Sequence, residues 1–145
     1  MRVVGIDVGT RRIGVAISDP TATLARPLET IVVANGTTNV DESVDRVVAG
    51  IAELAAEDDG LAAIVVGMPK RLDGTETSMT RAVVAFVDAL RARTLVPVVT
   101  EDERLTSVEA ERRLASRERD WKKRKGTLDA AAAAILLQDY LDRTR

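Results

Sequence analysis

The opening 33 residues constrain the fold most, because three apolar, β-branched segments follow one another with only short turns between them. Arg2 to Val8 is apolar on both sides of the chain, as in a strand covered on both faces. Gly9 to Arg12 reads as a turn and Ile13 to Ser18 as a second strand. Asp19-Pro20 breaks that strand, and Leu28 to Val33 supplies a third. Strands joined this closely pair as an antiparallel meander.

At Val40 the period changes. Val40, Val44, Val47, Val48, Ile51, Leu54 and Ala55 recur at helical spacing and form one apolar face, with the helix ending near Gly60. Ala63 to Val66 is a short buried strand running into a loop from Gly67 to Thr75. A second helix carries Met79, Ala82, Val83, Phe86, Val87 and Leu90 on one side. Val96 to Thr100 is the fifth strand. Thr106 with Glu109 three residues on forms a capping box that opens a third helix. From Leu128 to Leu141 the chain is apolar almost all round, and the alanines at 130 to 134 suit a final helix packed closely inside the domain. A meander followed by alternating helices and strands predicts an α/β fold. Its five-stranded mixed sheet is flanked by helices and built by residues 1 to 145 as one domain.

The composition then excludes whole classes of chemistry. The 145 residues contain no cysteine and no histidine. Disulfides, thiolate zinc sites, thiol nucleophiles, Ser-His-Asp hydrolysis and imidazole acid–base catalysis are therefore ruled out. Any metal would be held by oxygen, which selects hard cations such as Mg²⁺ or Mn²⁺. Aromatic residues make up only 2%, too few for a stacking platform that grips single-stranded nucleic acid. No apolar run spans a bilayer and the N-terminus lacks a signal peptide's apolar stretch, so a cytoplasmic protein without a membrane partner is expected. Net charge is -2. Yet the stretch from Ser116 to Gly126 holds six basic residues against two acidic ones, leaving the remainder of the chain more acidic than the total implies.

Three acidic positions stand out. Asp7 closes the first strand beside Gly9 and Thr10, with Gly14 in the next strand. Glycines there would let a phosphate or metal approach, although an Asp in a hairpin turn also bonds its own backbone. Glu101, Asp102 and Glu103 crowd the end of the fifth strand ahead of Arg104. Three adjacent acids need solvent, a cation or a metal to offset their repulsion. Asp129 lies in the first turn of the final helix, where the helix dipole alone would accommodate an acid. Singly each has an ordinary explanation. Together they lie at element ends that such a sheet can bring to one edge, and a two-metal phosphoryl-transfer site needs several carboxylates there and little else.

The order and spacing of Asp7, Gly9, Gly14 and Ala16, of Gly67, Pro69, Asp73 and Gly74, of Asp102 to Ser107 with Ala110, and of Lys125, Asp129 and Ala132 resemble the YqgF family, also called RuvX, of Holliday-junction-resolvase-like nucleases. The resemblance implies an RNase H-like fold, metal-dependent cleavage of phosphodiester bonds and, in bacteria, a role in maturing the 5′ end of pre-16S ribosomal RNA. It implies a site of Asp7, Glu103 and Asp129 with two Mg²⁺ or Mn²⁺ ions. Asp102 is a further metal-ligand candidate. Because neighbouring strand residues face opposite ways, Glu103 is preferred over Asp102 while the strand continues. Lys70, Arg71, Arg104, Lys122, Lys123, Arg124 and Lys125 are candidates for contact with the nucleic-acid backbone, which positions a substrate without reading its sequence. Trp121 either stacks on a base or anchors its loop.

The implied partners are pre-rRNA, the ribosome or its precursors and, alternatively, branched DNA cut as a Holliday-junction resolvase would cut it. The protein itself would act as a monomer or homodimer. Two rivals belong to other classes. Asp7, Gly9 and Thr10 also resemble the phosphate-binding hairpin of sugar kinases and actin-like ATPases, which close two such lobes over a nucleotide. A non-catalytic RNA- or ribosome-binding protein would keep the fold without turnover.

Overall fold

A computed structural model describes residues 1–33, 40–70, 73–103 and 128–144, with Leu128 and Asp129 described by their backbone only. Strands β1 (Arg2–Val8), β2 (Arg12–Ser18) and β3 (Ala25–Val32) are followed by helix α1 (Val40–Ala56) and strand β4 (Leu61–Pro69). Helix α2 (Thr80–Arg93), strand β5 (Val98–Glu103) and helix α3 (Leu128–Thr144) complete the order. The sheet runs β3-β2-β1-β4-β5. The first three strands pair antiparallel, whereas β1, β4 and β5 are parallel. This is the five-stranded mixed sheet expected from the sequence.

Three boundaries differ from expectation for identifiable reasons. β3 begins at Ala25, not Leu28, and takes in Pro27, which an edge strand tolerates beside the register shift at Val15 and Ala16. β4 starts at Leu61 and continues through Gly67, Met68 and Pro69, because β5 pairs with it as far as Glu103. Residues expected in a loop are thereby part of the central sheet. β5 is displaced toward its acidic end and runs from Val98 to Glu103, so all three consecutive acids lie in the strand. The expected capping-box helix at Thr106 and the basic stretch around Trp121 lie outside the described residues.

Helices cover both faces. Val4, Ile6, Ile13, Val15, Ile64 and Val66 on one face pack with Val44, Val47 and Ile51 of α1 and with Val83, Phe86 and Leu90 of α2. On the other face Val3, Ala16 and Val65 meet Ala133, Ala134, Leu137 and Leu141 of α3. Small residues let this helix lie close to the sheet. A methyl group added at Gly5 would sit 2.8 Å from Leu137 Cβ and 3.1 Å from the Ala133 carbonyl oxygen. The alanines at 130, 131, 133 and 134 are all buried, as a close-packed helix requires.

Gln138 fixes the direction of α3. Its side chain accepts from the Ala25 amide at 2.9 Å and donates to the Thr23 carbonyl at 2.9 Å. That corner lies by the start of β1, since Ser18, the register partner of Ala25, accepts the Val3 amide through its hydroxyl at 2.8 Å. Leu136 reaches Gly67 toward the other end. The helix therefore runs antiparallel to β1, and its first turn points to the edge where β1 ends.

Two glycines should respond oppositely to alanine. Gly5→Ala forces a methyl group against a side-chain stem and a backbone carbonyl, and should cost about 1–3 kcal/mol. Gly50→Ala, inside α1 with only Glu29 Oε1 at 3.6 Å, should gain about 0.5–1 kcal/mol. Melting temperatures that shift in the same direction for both variants would contradict this packing.

Candidate active site

Because β1, β4 and β5 are parallel, their C-terminal ends share one edge of the sheet, and side-chain alternation decides which residues meet there. Val3, Gly5 and Asp7 of β1 face α3, as do Val99, Glu101 and Glu103 of β5. Asp7 is opposite Gly14 of β2. On its other side, one step beyond the pair Ile6 and Val66, comes Gly67 of β4. Asp7 thus stands between two strand positions without side chains. Gly14 is buried, Gly9 closes the hairpin by donating its amide to the Arg12 carbonyl at 2.8 Å, and Thr10 is exposed at the hairpin tip.

The three acids of β5 part company. Glu101 forms an ion pair with Arg143 of α3, whose guanidinium also lies 5.9 Å from the Tyr140 ring centre. Asp102 points to the other face, where Lys70 Nζ lies 3.5 Å away. It therefore does not share a face with Asp7 and Glu103. Glu103 faces α3, and among the described residues no cation neutralises it. Burial pushes its carboxyl up from 4.5 to about 8, with the negative charges of Asp7 and then Asp139 adding to the effect. Two carboxylates, Asp7 and Glu103, therefore influence each other across the glycine gap in β4.

Asp139 escaped the sequence reading because it sits deep in a helix selected for its apolar run. Its position becomes apparent only in the structure: three residues after Leu136, which packs at Gly67, it lies one turn along on a neighbouring face of α3. Asp129 is in the first turn of α3, which runs toward the Asp7 end of β1. Among the described residues no three acidic groups lie close enough to hold one ion. Of the expected basic contacts, Lys70 is the one described. Besides its ion pair with Asp102, it pairs backbone to backbone with Glu76 in an isolated antiparallel bridge and donates its amide to the Glu103 carbonyl at 3.3 Å. Arg71, Arg104, Lys122, Lys123, Arg124 and Lys125 lie outside the described residues.

The raised carboxyl of Glu103 carries a stability signature. Unfolded, Glu103 releases its proton near pH 4.5, whereas the folded state holds it up to about 8, so this group lowers stability as pH rises through that window. Glu103→Gln removes the effect. In chelator its unfolding free energy should match wild type near pH 4 and exceed it at pH 8, by a margin on the order of 2 kcal/mol. A difference that does not change with pH would contradict the burial of this carboxyl.

Comparisons with known proteins identify the family and the fold. The family model RuvX, described as Holliday junction resolvase, matches residues 1–143. A relative from Chloroflexus aggregans is 45% identical over 143 residues, covering 99% of this chain and 94% of its own. One from Geobacillus kaustophilus is 41% identical over 145 residues, covering all of both chains. Each is named "Putative pre-16S rRNA nuclease". Among solved structures, Thermus thermophilus RuvC superposes with a TM-score of 0.60 at 21% identity, covering 99% of this chain and 95% of that one. The fowlpox virus Holliday junction resolvase gives 0.58 at 12% identity over the whole of both chains. These structural likenesses establish the RNase H-like fold. With a family model matched over residues 1–143 and relatives above 40% identity covered over nearly their whole length, the chain belongs to the RuvX family.

Proposed function

We propose that residues 1–145 form one nuclease domain that hydrolyses phosphodiester bonds with divalent cations held by Asp7, Glu103 and Asp129. The observation that carries this reading is the meeting of Asp7 and Glu103 on one face, at the edge where three parallel strands end, in a member of the RuvX family. The donor set fits the group. Two like charges in mutual repulsion, one drawn out of water, form a site that a cation would relieve. A chain with neither histidine nor cysteine offers only oxygen donors, which suit Mg²⁺ or Mn²⁺, and two such ions match the resolvase-like family.

Such ions supply, when bound, a water nucleophile available at neutral pH and compensation for charge on the attacking and leaving oxygens. The residues of the chain do the rest. Asp7, rooted in the central strand, gives a rigid anchor. Glu103 holds a proton near neutral pH until a cation displaces it, so binding is coupled to proton release. Asp129 completes the set from the first turn of α3. Lys70, Arg71, Arg104 and the run Lys122 to Lys125 are assigned to substrate phosphates, with Lys70 held in place by Asp102.

The relatives are named for pre-16S ribosomal RNA, and the substrate assigned here is the 5′ region of that RNA, met in the cytoplasm on ribosome precursors. A second reading, cleavage of branched DNA, draws on the family description and on the resolvase fold. No helix among the described residues is long and apolar enough to cross a membrane.

Precursor 16S rRNA and a four-way DNA junction, each incubated with Mg²⁺ or Mn²⁺, separate these readings. Wild type should shorten the RNA at its 5′ side, and Asp7→Asn, Glu103→Gln and Asp129→Asn should each cut about 100-fold more slowly or worse. Cleavage of the junction alone would favour the second reading. Equal cleavage by wild type and Asp129→Asn would remove that residue from the site.

A further inference from the structure

Gly67 is a glycine whose backbone does not require one. It lies inside β4, paired with Glu101 of β5, and is not among the glycines at positive φ. Any residue could adopt its conformation, so the reason for glycine must be space. A methyl group built on Gly67 would lie 2.8 Å from Glu103 Oε2, 2.9 Å from Glu103 Cδ and 3.0 Å from Leu136 Cδ2. The first two contacts identify what fills the space: the carboxylate itself.

The register explains how it gets there. Glu103 is paired with Pro69, two residues beyond Gly67, yet its carboxylate lies over Gly67. The side chain therefore leans back across β4, diagonally toward β1. Gly67 is also the next position after the Ile6 and Val66 pair, which makes it the neighbour of Asp7 on that strand. A side chain at position 67 would stand between the two acids.

We propose that Gly67 is a positioning residue, whose missing side chain lets the Glu103 carboxylate lie across β4 and come within range of Asp7. This rests on the reading of Glu103 as a site carboxylate. The clash is with the far end of a flexible side chain, so Gly67→Ala should leave the strand intact and turn the carboxylate aside. A displacement of about 1 Å at a reacting site is enough to cost about 100-fold in rate.

The competing explanation is that Gly67 serves only the seating of α3 through Leu136. Two measurements on the full chain divide these. In a metal-free crystal structure of Gly67→Ala, the Glu103 carboxylate should be displaced with α3 in place. A Glu103 left where it is, with Leu136 and α3 shifted, would overturn the proposal. In Mn²⁺ titrations followed by calorimetry, Gly67→Ala should bind about 10-fold more weakly or worse, and Leu136→Ala should bind as wild type does. Unchanged binding by Gly67→Ala, with binding lost in Glu103→Gln, would overturn the proposal alone. Unchanged binding by Glu103→Gln would overturn the reading of Glu103 and the proposal with it. Should Gly67→Ala fail to fold, Gly67→Ala combined with Leu136→Ala removes the apolar part of the clash. The same titration then applies, and weaker Mn²⁺ binding than Leu136→Ala alone remains the expected result.

Discussion

The burial of the Glu103 carboxyl, beside the like charge of Asp7, is the constraint around which this end of the molecule is arranged. Two carboxylates on one face of a sheet, one withdrawn from water, cost free energy in the absence of a cation, and the raised carboxyl of Glu103 is the visible sign of that cost. The fold tolerates it because the burden falls on one group. The other acids of β5 are matched with cations, Glu101 with Arg143 and Asp102 with Lys70. An acidic triplet that looks uniformly unfavourable in the sequence is, in the sheet, two acids paired with cations and one, Glu103, buried without a cation among the described residues.

Parallel strand order and the small residues around it make this arrangement possible. Parallel pairing of β1, β4 and β5 brings Asp7 and Glu103 to a common edge, and alternation along each strand puts them on a common face. Gly14 and Gly67 flank Asp7 without covering it. Farther along the same face, Gly5 and the alanines of α3 let the helix settle against the sheet, its first turn directed toward that edge. The opposite face, built from Val, Ile, Leu and Phe86, supplies the larger core. Both faces bury apolar side chains, and the face under α3 also carries Asp7 and Glu103.

Much of this was legible in the chain. The meander, the change of period at Val40, the five strands and the close packing of the alanine run all follow from local pattern, where propensity and burial point the same way. The ends of β4 and β5 were less legible. Gly67-Met68-Pro69 has turn-forming composition, and three successive acids resemble a solvated loop; pairing between the two strands overrides both. That correction separates the acids. With β5 continuing to Glu103, alternation separates Asp102 from Glu103, which pattern alone could state only as a condition. Asp139 was not legible, because its influence on Glu103 depends on how α3 lies across the sheet. The basic stretch beside Trp121 is plain in the sequence as a concentration of charge.

The central claim is that Asp7 and Glu103 share a divalent cation at the C-terminal edge of the parallel strands. Anomalous diffraction from crystals soaked in Mn²⁺ tests it directly. The expected result is a Mn²⁺ peak about 2 Å from carboxylate oxygens of both residues. Mn²⁺ bound elsewhere on the protein, with neither carboxylate among its ligands, would contradict it.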